Sequence, residues 1–136
     1  MPKMIFVNLP VKDLAVSTRF YEAIGCTRNE QFSDGNASCM VWSDTISFML
    51  LVEPYFSTFI SRPIADAQAT CQVLLALSMD SRADVDAIVE AAAGAGGKAD
   101  IRDPMDLGFM YNRSFQDPNG HVFEAAHMDM SAMPTE

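Results

Sequence analysis

Glu124 and Arg113 are the side chains of this sequence best placed to do chemistry together. They flank Asp117-Pro118-Asn119-Gly120, a turn signal between strand-like runs near 108–116 and 121–128. Taken as a four-residue loop, the turn sets Gln116 against His121, Phe115 against Val122 and Arg113 against Glu124, with Tyr111 next along the strand. A buried carboxylate needs a cation or a proton, and a guanidinium supplies the cation through two parallel hydrogen bonds. Such a pair either locks a fold or anchors a polar or carboxylate-bearing ligand. Desolvation offsets most of the attraction in a buried pair, which favours the second use. The two histidines, His121 and His127, each lie three residues from Glu124. On a strand that odd spacing turns them to the opposite face. Cys26, Cys39 and Cys71 are far apart and in no CxxC pattern, so they build neither a disulfide framework nor a cysteine zinc site.

The elements that must position these residues occur twice. The run 4–11 reads as a strand buried on both faces. Asp13 is an N-cap, Ser17, Phe20, Tyr21 and Ile24 form one helical stripe, and Gly25 ends the helix. Strands near 26–33, 37–43 and 45–52 follow. After an aromatic, proline-containing connection, the pattern returns. A strand over 72–79 leads to Asp80 or Ser81 as cap, a stripe of Val85, Ile88, Val89 and Ala92, and a stop at Gly94, Gly96 and Gly97. Strands near 98–102, 108–116 and 121–128 complete the set, and Met128, Met130 and Met133 read as a frayed tail. The chain is βαβββ written twice. Leu9 aligns with Leu77 at an offset of 77 − 9 = 68, half of the 136 residues. The expected fold class is α+β, with two βαβββ repeats forming a curved mixed sheet around a cavity and helices outside.

Composition narrows the partners. At 14.9 kDa and 49% apolar residues the chain is one domain able to bury its own core. Nine basic residues against 18 acidic ones give a net charge of −9, with no basic cluster. Nucleic-acid and membrane-surface partners are therefore not expected. No apolar run approaches a membrane span and the N-terminus lacks the pattern of a signal peptide, so the expectation is a cytoplasmic protein.

The stretches LPVKDLAVSTRFYEAIG (9–25) and SFQDPNGHVFEAAH (114–127), supported by LALSMDSRADVDAIVEAAAGAGG (75–97), resemble the vicinal oxygen chelate superfamily. That superfamily holds glyoxalases, extradiol dioxygenases, and bleomycin- and fosfomycin-resistance proteins. The resemblance implies a single glyoxalase-like domain over 1–136, with repeat one at 1–53, a connection at 54–70 and repeat two at 71–130. It also implies one divalent metal, held by ligands on the inward faces of four strands. Those positions fall on Phe6, Met49, Leu74 and Glu124, and three of the four are apolar. Phenylalanine, methionine and leucine do not replace imidazole or carboxylate around such an ion, so no cofactor is expected.

By parity, Phe6 and Asn8, then Met49, then Gln72 and Leu74 line the inward face with Tyr111, Arg113 and Glu124. The expectation is a small organic ligand bound in a metal-free, mostly apolar cavity by these residues. The alternative is a metal-dependent lyase, dioxygenase or glyoxalase-type enzyme, with Glu124 the only candidate catalytic residue. A third reading is a dimeric module without an active pocket. Sheet edges and the aromatics Tyr55, Phe56 and Phe59 on the connection, which closes the cavity or meets a partner subunit, lead to an expected homodimer.

Overall fold

In the computed structural model, whose described residues are 2–132, the strands divide into two hydrogen-bonded sheets, each with its own helix. Two compact units carry them, Met1–Asp66 and Ala67–Glu136. The α+β class is present and so is the repeated order, as βαβββ in the first unit and with one further short strand after the helix in the second.

In the first unit, β1 (Ile5–Val11) leads into α1 (Leu14–Ala23), then β2 (Thr27–Arg28), β3 (Ala37–Val41) and β4 (Ile46–Val52). The sheet order is β1-β4-β3-β2, with β1 parallel to β4 and the other pairs antiparallel. Asp13 caps α1 by accepting from the Val16 N–H, as its position before the apolar stripe predicts. The buried face of α1 carries Ser17, Phe20 and Tyr21, and the Tyr21 ring lies 5.6 Å from that of Phe48 on β4. Strand β2 is shorter than expected. Asn29 accepts from the Gln31 N–H and starts a 3-10 turn over Glu30–Phe32, which withdraws those residues from the ladder. The connection also departs from expectation. Glu53–Phe56 forms α2, with Pro54 in its first turn where its missing N–H costs nothing, and Ser57–Phe59 continues as a 3-10 turn. Tyr55 and Phe59 pack edge to face on it at 5.1 Å.

In the second unit, β5 (Leu74–Ser78) precedes α3 (Arg82–Gly94), β6 (Lys98–Ala99), β7 (Met105–Asp106), β8 (Met110–Gln116) and β9 (Val122–Met128). The order is β5-β9-β8-β6, and β7, absent from the sequence reading, also pairs with β8. Ser81 rather than Asp80 caps α3, through the Asp84 N–H. Val85, Ile88, Val89 and Ala92 are buried, as the stripe predicts. They share their side of the sheet with Phe115 and Phe123, whose rings stack at 5.1 Å. Met128 is the last residue of β9 rather than part of a frayed tail, Met130 begins a 3-10 turn, and Met133 lies outside the described residues.

The final hairpin differs from the expected register, and the difference decides where the charges go. Gln116 pairs with Val122, not His121, so Arg113 stands opposite Ala125 and Glu124 opposite Ser114. The Asp117 N–H donates to the His121 carbonyl at 2.9 Å, leaving Pro118-Asn119-Gly120 as a three-residue loop. Gly120 closes it at φ +100, a conformation that side chains with a Cβ resist. Asp117 also accepts from the Asn119 and His121 N–H groups. One residue fewer in the loop moves every side chain of one strand to the other face.

Candidate functional site

Each sheet has one face against its helix and one turned away from it. In the first unit, Leu9 and Val11 of β1 are buried on the α1 side, while Phe6 and Asn8 lie on the other and are exposed. Register then places Phe6 beside Ser47 and Asn8 beside Met49. In the second unit, Leu74 lies beside Val122 and Ala76 beside Glu124, on the face turned away from α3. Asn8 and Ala76 are separated by 76 − 8 = 68 residues, so Met49 holds in the first unit the place that Glu124 holds in the second.

Glu124 is not paired with Arg113. Its partner is Arg102, which the sequence reading did not single out. The Arg102 Nη2 group donates to Glu124 Oε2 at 2.7 Å and to Asn112 Oδ1 at 2.6 Å, while Nη1 donates to the Asp103 carbonyl at 2.9 Å. The Glu124 side chain is 19% exposed and that of Arg102 35%, so the pair is partly wet. Local backbone geometry brings Arg102 there. Asp100 adopts φ +52, a left-handed turn that aspartate tolerates better than most residues. The Arg102 N–H then donates to Ser114 Oγ at 3.2 Å, which fixes the chain beside β8. No periodicity marks Arg102. It follows a two-residue strand, and only the register of the hairpin singles it out among the basic residues of the second half.

Arg113 and Tyr111 lie on the opposite face, and their assignment to a site with Glu124 is corrected. The Arg113 guanidinium is 12% exposed and gathers Asp100, Asp86 and Glu90 at 2.8, 3.0 and 3.1 Å. Asp86 and Glu90 belong to α3, so this cluster fastens the helix to its sheet. Donating to Asp100, and after it to Asp86 and Glu90, raises the Arg113 pKa. Arg113 in turn holds the Asp100 carboxyl below its ordinary range. The Tyr111 hydroxyl donates to Asp86 at 2.7 Å and, with Arg113, pulls the Asp86 carboxyl down as well. Arg82 stacks over the Tyr111 ring at 4.3 Å and pairs with Asp106.

The remaining candidates sort simply. Gln72 precedes β5 and is exposed, so it is not part of the strand that was to carry it. His127 lies on the α3 side, where its Nδ1 donates to the Met79 carbonyl at 3.0 Å. Cys26 and Cys39 are buried and Cys71 is exposed, and burial pushes the Cys26 thiol up to about 12. That makes Cys26 a packing residue rather than a nucleophile.

The residues present do not fit a divalent ion. The positions that the resemblance assigns to ligands hold phenylalanine, methionine, leucine and one glutamate, and that glutamate already holds a guanidinium. Among the described residues no group of three or more His, Cys, Asp or Glu side chains gathers. What the second face offers is hydrogen bonding. Arginine only donates, so Asn112 must turn its Oδ1 to Arg102 and its NH2 away. That NH2, the Arg102 Nε–H and one Nη1–H have no partner among the described residues. Leu74, Ala76, Val122 and Ala126 share this face around them.

The sequence model of the Glyoxalase/Bleomycin resistance protein/Dioxygenase superfamily matches residues 3–125. No curated protein matches the sequence. Among solved structures, a hypothetical protein of S. aureus is 24% identical, with 93% of this chain and 95% of that one covered at a TM-score of 0.78. A glyoxalase/bleomycin resistance protein/dioxygenase family enzyme of Burkholderia phytofirmans is 18% identical, with 93% and 99% covered at 0.75. A fosfomycin resistance protein of Mesorhizobium loti is also 18% identical, with 96% of each chain covered at 0.67. At these identities the structures speak for the fold.

Proposed function

The chain belongs to the Glyoxalase/Bleomycin resistance protein/Dioxygenase superfamily, and from that premise we propose that it binds a small organic molecule without a resident divalent metal. One observation carries this reading: Glu124, the only carboxylate at the four ligand positions, is engaged by Arg102, while Phe6, Met49 and Leu74 offer no oxygen or nitrogen donor. A binding role needs only an apolar surface with a few fixed polar groups, which the face around Leu74, Val122 and Asn112 supplies. The test is elemental analysis of the purified protein, before and after loading with zinc, nickel, iron(II) and manganese(II) followed by desalting. Metal far below one ion per chain is expected in every case. Close to one ion per chain, lost in Glu124→Ala, would overturn the reading.

The binding protein is read as a homodimer. Phe59 is 64% exposed and Ile5 55%, the latter on β1, an edge strand of its sheet. Apolar edges of this kind favour a cover. Light scattering at micromolar concentration is expected to give about twice the chain mass of 14.9 kDa. A mass near that of one chain would contradict it. No helix among the described residues is long and apolar enough to cross a membrane.

A further inference from the structure

We propose that Arg102 makes the face of the second sheet turned away from α3 selective for a carboxylate on an apolar body, with Glu124 as the built-in competitor that limits its affinity. The inference rests on the binding reading above and adds the chemical class of the ligand.

The argument starts from the donor count. Arg102 Nη2 spends both hydrogens, on Glu124 and Asn112, and Nη1 spends one on the Asp103 carbonyl. The Nε–H, the second Nη1–H and the two amide hydrogens of Asn112 remain. Among the acceptors of this cluster, Glu124 Oε1 is the oxygen that takes no hydrogen bond from Arg102 or Asn112. Asn112 is only 7% exposed, yet no fully buried side-chain nitrogen or oxygen among the described residues lacks a hydrogen bond. Its unpaired NH2 is therefore open to an arriving group. Four unspent donor hydrogens gathered around one cation select an acceptor-rich group.

Charge then separates a carboxylate from a neutral carbonyl. The guanidinium attracts an oxyanion and charge-assisted hydrogen bonds are about twice as strong as neutral ones. Glu124 opposes this at close range because its own carboxylate sits on the same Nη2 at 2.7 Å. Removing the Glu124 charge should therefore strengthen carboxylate binding and leave a neutral ligand nearly unaffected. A purely structural Arg102–Glu124 pair predicts no such difference between ligands. The apolar body follows from the register, which puts Leu74, Ala76, Val122 and Ala126 around the polar cluster.

The test uses hexanoate and its neutral isostere hexanamide, titrated into the full chain and followed by the NMR signals of the second sheet and of the Arg102 Nε–H. Hexanoate is expected to shift the Arg102 signal and to bind about tenfold more tightly than hexanamide. Arg102→Gln should erase that preference, and Glu124→Gln should widen it severalfold. If Arg102→Gln fails to fold, Arg102→Lys keeps the charge and should keep a reduced preference. Equal binding of the two compounds to the parent protein, unchanged in Glu124→Gln, overturns the carboxylate inference while leaving small-molecule binding in place. A second sheet on which neither compound moves any signal removes both.

Discussion

Arg113→Gln is expected to lower the free energy of unfolding by about 2 kcal/mol at neutral pH, less than the loss of a fully buried ion-pair partner because its carboxylates are partly wet. The side chain is 12% exposed, and removing it leaves Asp86, Glu90 and Asp100 facing one another without their shared cation. The effect carries a pH signature. Arg113 holds the Asp100 carboxyl below its ordinary value of 3.8, and Tyr111 with Arg113 does the same for Asp86. A depressed carboxyl contributes stability that is fully present above its unfolded value and is lost as pH falls through the folded one. The gap between parent and Arg113→Gln should thus be flat at neutral pH and close below about pH 4. Denaturant unfolding at pH 7, 5 and 3 reads it directly. A gap that persists undiminished at pH 3 would mean that Arg113 acts through packing and not through its charge.

The same variant tests the register of the last hairpin. Arg113 and Glu124 lie on opposite faces with separate partners, so Arg113→Gln and Glu124→Gln should be additive within about 0.5 kcal/mol. A coupling well above that would restore the direct pair suggested by a four-residue loop.

The parts legible in the sequence are those where a period meets a cap. Ser17, Phe20 and Tyr21, and Val85, Ile88, Val89 and Ala92, announce one buried face of a helix each, and Asp13 and Ser81 announce where each helix starts. The repeat at 68 residues was equally legible, since Phe6 and Leu74, and Asn8 and Ala76, take matching places on β1 and β5. What escaped depends on single residues. A strand alternates with a period of two, so an error of one residue in a loop exchanges the two faces of a strand pair. Arg113 and Tyr111 then traded sides, and Glu124 acquired an apparent partner it does not touch. Arg102 escaped for a related reason: Asp100 leaves the strand through a left-handed turn, and nothing in spacing foretells where a chain goes after it. Glu53–Phe59 shows no helical period in the sequence because two turns of helix are too short for a stripe to repeat.

The glycine that closes the decisive loop should be the least replaceable in the second unit. Gly120 sits at φ +100, and a Cβ there would stand 2.7 Å from the Ala67 carbonyl carbon and oxygen and 2.9 Å from the Gln68 nitrogen. These are backbone atoms and cannot swing aside as a side chain can. Their segment is docked on the turn, since Gln68 Nε2 donates to the Pro118 carbonyl at 3.2 Å and Gln68 Oε1 accepts from Gln116 at 3.4 Å. Gly120→Ala therefore combines a strained conformation with a steric conflict, and is expected to cost on the order of 3 kcal/mol. Gly35 is the control: a Cβ there meets nothing within 4 Å and its φ is not positive, so Gly35→Ala should change stability by less than about 1 kcal/mol. Because the loop sets Glu124 opposite Ser114 and beside Arg102, the alanine should also disturb the Arg102 Nε–H signal in the folded fraction, and Gly35→Ala should leave it in place. Equal stability for the two variants would mean that residues 67–68 do not lie against the turn.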